Sequence, residues 1–473
     1  MRNFSTFAAK MKKTILLLVT FLLSLHVAAQ EETRDVEALI ADTILADTAF
    51  ADTLVVDSLP YPQNITHRLD SMIAHSRTLQ RSQLGLMVYD LTADSAIYTY
   101  NHRQTMRPAS TMKLVTAITA IDRLGGSYQL RTSLYYKGRI ADRKLTGDVY
   151  CVGGMDPRFD GDDLRAFVES ICQLGVDTIC GRLVADRTFK EPELLGEGWC
   201  WDDDNPVLSP LLLNRKDNLT EQLVEKLRER GVVFSRYEVR GTRYEDSSRY
   251  EVRGTRYEDS SRYEVRGTRY EDSSKDEVEA KYEESGKVPN GAVLLCTRTH
   301  TIEQVLTRMM KESDNLYAES MFFQLAAAGG ARPAKASHAR AAINRLIQKI
   351  GLTPSAYKVA DGSGLSLYNY VSAELLTRLL RFAWRNTNIS DCLMATLPIA
   401  GFDGTLKNRM KGDYTCGNVR AKTGTLTGIS SLAGYCTAAN GHELCFTIIN
   451  QGVLRTNDGR TFQDRVCRVL CER

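Results

Sequence analysis

Three short polar motifs lie far apart in this chain, and their separation is its strongest constraint. Ser110-Thr111-Met112-Lys113, Ser313-Asp314-Asn315 and Lys422-Thr423-Gly424 stand about two hundred and then about one hundred positions from one another. If they serve one site, the fold must bring the chain back to the same place twice. A single loop spanning the first interval is implausible, because unstructured loops beyond ~15 residues are uncommon in compact domains. That interval must hold inserted structure. The 473 residues allow one large domain with insertions, or two to three domains.

The motifs suit one another chemically. A serine hydroxyl is a weak nucleophile until a base removes its proton. Lys113 follows Ser110 by three residues in a helix opened by Pro108, so both share a face. The Lys113 amine can act as base if burial and a nearby cation lower its pKa. Lys422 is the expected cation, and the positive helix end favours an alkoxide at Ser110. Ser313 can relay a proton, Asn315 can hold a substrate amide, and Asp314 should face elsewhere. Lys422 and Thr423 can bind a terminal carboxylate. Gly424 is expected to clear space for a passing substrate backbone. The N–H groups of Ser110 and Thr425 would form an oxyanion hole. Each motif alone is ambiguous, since such residues also make exposed helix faces, caps and turns. The ordered set resembles the signature of penicillin-binding proteins and serine β-lactamases.

Competing chemistries find little support. The seven histidines show no metal-ligand spacing, and no Gly-x-Ser-x-Gly elbow or phosphate-binding glycine loop occurs. No pair of Cys-x-x-Cys units exists, so zinc is not expected. The net charge of +3 comes from dispersed basic residues, and no nucleic-acid partner is expected. The eleven cysteines read mostly as small apolar core residues, and any disulfide pairing stays open.

Lys10, Lys12 and Lys13 precede an apolar run from Thr14 to Val27, followed by Ala28-Ala29. Residues 1–29 therefore read as an export signal whose core is shorter than the ~20 residues of a spanning helix. The expected location is the periplasm, with at most peripheral membrane association. Residues 30–62, with Ala-Asp-Thr repeated, read as a flexible acidic tether. Residues 235–273 hold three identical copies of a 13-residue unit. With little besides tyrosine and one valine to bury, the copies are expected to form a loop without regular structure.

Between these segments the expected elements are a helix near 65–77, a hairpin of 84–90 with 96–100, and the motif helix through Leu124. Strands at 130–136, 148–152 and 179–185 and helices at 162–174 and 219–230 fall in the insert. Later come helices at 302–310, 341–350 and 462–471 and strands at 420–425, 431–437 and 443–450. The fold class expected is α+β/α/β, a β-lactamase-like transpeptidase domain with a five-stranded antiparallel sheet and flanking helices. It would comprise residues 63–128 and 290–473, with inserted domains at 129–289.

Further segments resemble the D-alanyl-D-alanine carboxypeptidase/endopeptidase family of class C low-molecular-mass penicillin-binding proteins, peptidase family S13. They are Gly147-Asp148-Val149-Tyr150 with Val152-Gly153-Gly154-Met155-Asp156-Pro157, and Trp199, Trp201, Asp202 and Asp203. Asp361-Gly362-Ser363-Gly364-Leu365-Ser366 and Gly401-Phe402-Asp403-Gly404-Thr405-Leu406 complete them. The resemblance implies cleavage of terminal D-Ala–D-Ala bonds in peptidoglycan peptides, often with cross-link hydrolysis. It also implies acylation of Ser110 by β-lactam antibiotics, and no cofactor. Two departures stand out: Leu367 replaces the family's usual arginine, and the strand-rich insert after Leu211-Leu212-Leu213-Asn214 is shortened. A β-lactamase or esterase on the same scaffold, or a degenerate wall-binding protein, are the other readings.

Overall fold

The computed structural model describes residues 59–200, 202–234, 239–240, 288–412 and 414–472. The export signal, nearly all of the tether, Trp201 and most of the repeats lie outside the described residues. Two compact units are present, Met1–Met72 and Ile73–Arg473. The described part of the first is mostly helix α1 (Gln63–Ala74).

The second unit carries two sheets. The first has the order β10-β11-β12-β1-β2, all antiparallel, as expected. Its strands are β1 (Gln83–Asp90), β2 (Ser95–Tyr100), β10 (Arg420–Leu426), β11 (Ile429–Thr437) and β12 (Glu443–Gln451). Side chains alternate across this sheet with the period of two that strands impose. Ser430 and Asn450, paired in register, face helix α10 (Thr456–Cys471), where Gln463 bonds Ser430 at 2.9 Å. Tyr435, Cys445 and Thr447 face the opposite way, onto α8 (Ala373–Trp384). β10 is an edge strand, and the start of its outer side is covered by the 398–399 segment, whose Pro398 carbonyl accepts from Ala421 N–H at 3.0 Å.

Behind α8 lies a helical layer built around α2 (Met112–Leu124), in which every residue from Met112 to Ile121 is buried. α5 (Ile302–Lys311), α6 (Asn315–Ala327), α7 (Ala336–Lys349) and α9 (Thr387–Thr396) complete this core. A helix wrapped on all sides loses its amphipathic stripe, which is why α6 shows none.

The second sheet contains β3 (Gln129–Ala141), β4 (Lys144–Val152), β5 (Thr178–Ile179), β6 (Leu183–Asp186), β7 (Val233–Phe234), β8 (Val239–Arg240) and β9 (Val293–Thr301). α3 (Gly161–Cys172) and α4 (Leu219–Glu229) share its core with Leu134, Leu145 and Val149. β9 pairs antiparallel with β3 from Gln129↔Thr301 onward, so residues 293–301 belong to this sheet. Two expectations about its strands need correction. The strand expected over 179–185 is two strands, since the Asp148 carboxylate captures the Arg182 N–H at 2.8 Å and interrupts the ladder. In the first repeat, where a loop without regular structure was expected, Val239–Arg240 pairs parallel with β6.

The segment Gly153–Asp156 joins this sheet to the helical layer. The Gly154 carbonyl accepts from Gln324 at 2.7 Å and the Met155 carbonyl from Ser320. A Cβ on Gly154 would lie 1.7 Å from the Arg131 carbonyl oxygen, so only glycine allows this approach.

Candidate active site

Ser110 lies in a short 3-10 turn (Ala109–Thr111) that runs into α2. In 3-10 geometry residues three apart eclipse one another, which aligns Ser110 with Lys113. The Lys113 Nζ lies 2.9 Å from Ser110 Oγ, 2.8 Å from Asn315 Oδ1 and 2.8 Å from the Ser363 carbonyl oxygen. Asn315 opens α6, with Asp314 as its N-cap accepting from Leu316 N–H at 3.1 Å. Ser313 has a positive φ of 60°, which turns its hydroxyl toward Lys422, 2.9 Å away. Asp314 points elsewhere, as expected, and binds Arg308 and Arg215. The fold thus joins Ser110, Lys113 and Asn315 in one hydrogen-bonded set and Ser313 and Lys422 in a second, near enough for the two lysine charges to act on each other.

Both lysines are completely buried. Burial pushes Lys113 down to about 8, against the opposing charges of Asp361, Glu319 and Asp314. Lys422 is pushed well below its ordinary value, by burial and then by Lys113. Burial is the largest cause for both lysines, and the carboxylates beside Lys113 favour its charged form where Lys422 has none named.

The role expected of Gly424 also changes. A Cβ there would stand 2.2 Å from Ser431 Oγ, 2.8 Å from the Pro108 carbonyl oxygen and 3.0 Å from Ser110 N. The missing side chain lets β10 close onto the Ser110 turn itself, whose Pro108 carbonyl accepts from Ser431 at 2.6 Å. Thr423 bonds Thr405 Oγ1 at 2.8 Å, and Thr425 at the strand end is exposed beside the Arg460 guanidinium, 3.4 Å away.

Several supporting residues escaped the sequence reading. Asp361 accepts from Trp199 Nε1 at 2.8 Å, Ser366 N at 2.6 Å, Gly364 N at 2.8 Å and Asn369 at 2.7 Å. It shapes the 361–366 loop behind Lys113. Glu319 accepts from the Gly362 and Ser363 N–H groups. Its signal was available: a lone carboxylate one turn beyond Asn315, inside an otherwise apolar helix. Thr405 stood in the family-like segment 401–406 and Arg460 in none, and sequence does not show that either meets β10. The carbonyl of Leu367 accepts from Arg107 at 3.0 Å, and the Arg107 guanidinium lies over the Tyr370 ring. Among the described residues no His, Cys, Asp and Glu cluster could hold a metal. All eleven cysteines are free thiols.

Comparison with known proteins places the chain in a family. A D-alanyl-D-alanine carboxypeptidase DacB of Haemophilus influenzae is 27% identical over 407 residues, 77% of this chain and 84% of the relative. A crystal structure of penicillin binding protein 4 (dacB) from the same species matches with a TM-score of 0.68 at 21% identity, covering 84% of this chain and 99% of that one. A second structure of that protein, complexed with a β-lactam, gives 0.63 at 22% identity, with coverage of 85% and 99%. These structural likenesses show the fold. The sequence itself matches the D-Ala-D-Ala carboxypeptidase 3 (S13) family over residues 65–212 and 273–472, and the chain belongs to that family.

Proposed function

We propose that this chain carries out its family's D-Ala-D-Ala carboxypeptidase reaction by acyl transfer through Ser110. One observation carries the assignment of roles. Two of the three partners of Lys113 Nζ, Asn315 Oδ1 and the Ser363 carbonyl, are pure acceptors. A neutral amine donates to both, which leaves its lone pair aimed at the one partner able to donate, the Ser110 hydroxyl.

The steps follow from that arrangement. Ser110 Oγ bonds to the carbonyl carbon of the penultimate D-Ala as its proton passes to Lys113. The oxyanion is held by the N–H groups of Ser110 and Thr425, a device worth about 10²–10³ in rate per donor. The C–N bond then breaks as the leaving D-Ala amine takes the proton that Lys113 had accepted, passed on by way of Lys422 and Ser313, which leaves Lys113 neutral again. Water attacks the acyl-enzyme, gives its proton to Lys113, and Ser110 is released with that proton returned. Lys422 and Thr423 bind the substrate's terminal carboxylate, and a carboxylate arriving there restores the charge on Lys422. Gly424 keeps β10 close to Ser110.

The substrate is a peptidoglycan peptide, and β-lactams acylate the same serine. This reading is supported by family membership and by the β-lactam complex of the related fold. The N-terminal signal supports export to the periplasm, and among the described residues no helix is long and apolar enough to cross a membrane. The test pairs fluorescent penicillin labelling with D-Ala release from a pentapeptide. Wild type should label stably and release D-Ala, and Ser110→Ala should do neither. A folded wild type that does neither refutes the reading, and rapid penicillin turnover without D-Ala release points to a β-lactamase instead.

A further inference from the structure

Glu319 is 1% exposed and sits on α6, where every residue from Leu316 to Ala326 is buried. An isolated carboxylate in such surroundings is expensive unless its hydrogen bonds are satisfied. Its Oε1 accepts from Ser363 N at 2.8 Å and from Gly362 N at 3.1 Å. The same two residues present their carbonyls to α2. Gly362 O accepts from Thr116 Oγ1 at 2.7 Å, and Ser363 O accepts from Lys113 Nζ at 2.8 Å. The approach to α6 is close: a Cβ on Gly362 would lie 2.6 Å from Phe322 Cβ and 2.9 Å from the Ala318 carbonyl oxygen. The 362–363 backbone is therefore clamped between α6 and α2, with the Glu319 carboxyl on one side and Lys113 on the other.

We propose that Glu319 is a positioning residue for acyl transfer, fixing the 362–363 peptides so that the Ser363 carbonyl holds the Lys113 amine against Ser110. It touches neither substrate nor the reacting atoms and acts through Ser363. The inference rests on the acyl-transfer reading above.

Charge supplies a readout that a purely structural role lacks. The groups acting on Lys113 are Asp361, Glu319 and Asp314, with Lys422 alongside. Those acting on or influenced by Glu319 are Asp361, Lys113 and Lys190. Burial and then Asp361 push Glu319 up to about 8, against the N–H donors of residues 362 and 363. Near and above pH 8, where Glu319 is ionised, its carboxylate favours the Lys113 ammonium, so removing that charge lets Lys113 lose its proton at lower pH within that part of the range.

The experiment measures penicillin acylation and D-Ala release from pH 6 to 10 for wild type, Glu319→Gln and Glu319→Ala, with thermal melts as fold controls. Glu319→Gln keeps an acceptor for the two N–H groups. Its rising limb should move to lower pH by about half a unit or more, with a plateau close to wild type. Glu319→Ala leaves both peptides unheld, and its plateau kcat should fall more than about tenfold with little change in KM. A Gln variant whose limb superimposes on that of wild type overturns the proposal, as does a folded Ala variant with wild-type kcat. If the Ala variant does not fold, the position of the Gln limb decides alone. A wild type that takes no label would sink the acyl-transfer reading itself, an outcome distinct from variants that match an active wild type.

Discussion

Adding one methyl group at Gly424 tests how the edge strand and the nucleophile turn depend on each other. The new Cβ would meet Ser431 Oγ at 2.2 Å and the Pro108 carbonyl oxygen at 2.8 Å. Ordinary contact begins near 3.4 Å. Relief therefore needs a movement of about 0.5–1 Å between β10 and the turn bearing Ser110, the scale at which misplacement costs about 10²-fold in rate. Overpacking of a tight contact also destabilises by about 1–3 kcal/mol. Gly424→Ala should therefore slow penicillin acylation about a hundredfold and lower the melting temperature. The nearest clash is with a side chain, so adding Ser431→Ala should recover part of the stability. The Pro108 carbonyl is backbone and remains in place, so the double variant should stay slow. Stopped-flow acylation and thermal melts of the three variants give the answer. A Gly424→Ala enzyme with wild-type rate and stability would refute the close-approach argument. Full recovery of rate by Ser431→Ala would show that the backbone contact is irrelevant.

Two further outcomes follow from the surrounding ion pairs. Asp314→Ala removes the partner of Arg308 and Arg215 and the cap of α6, and should destabilise by about 2–4 kcal/mol. That is below the full figure for a buried pair, because both arginines are about two-fifths exposed; an unchanged urea midpoint would contradict it. His300 lies 2.6 Å from Asp156, and this hydrogen bond raises its pKa above 6.5 against the effect of burial. A raised histidine pKa gives stability that is full below the unfolded value and lost as pH rises through the folded one. The melting advantage of wild type over His300→Gln should therefore be largest near pH 6 and shrink toward pH 9, and a constant gap would count against the pairing.

Local patterns carried much of the architecture. Short, mostly apolar runs placed β11 and β12, and Asn440-Gly441 placed the turn between them, because run length and turn chemistry are properties of neighbouring residues. Helices α3, α4 and α5 began within a residue of where sequence put them, and two of these starts are marked by capping residues, Asp160 and Thr301. The misses have non-local causes. β9 was unrecognised because its partner β3 lies far away in sequence. α6 was unrecognised because a helix buried on every side shows no amphipathic period.

At the site, the order of residues sufficed to show which side chains could do the chemistry. The three motifs named the serine, the two lysines and the asparagine, because nucleophile, base and amide must be particular residue types. Tertiary structure alone decided their electrical state and their neighbours. Burial lowers both lysines, Gly424 makes room for a turn rather than a substrate, and Glu319, Asp361, Thr405 and Arg460 join the site from distant segments. Residue identity sets what a group can donate, accept or lose, whereas a pKa and a clash depend on solvent exclusion and interatomic distance, which exist only once the chain has folded.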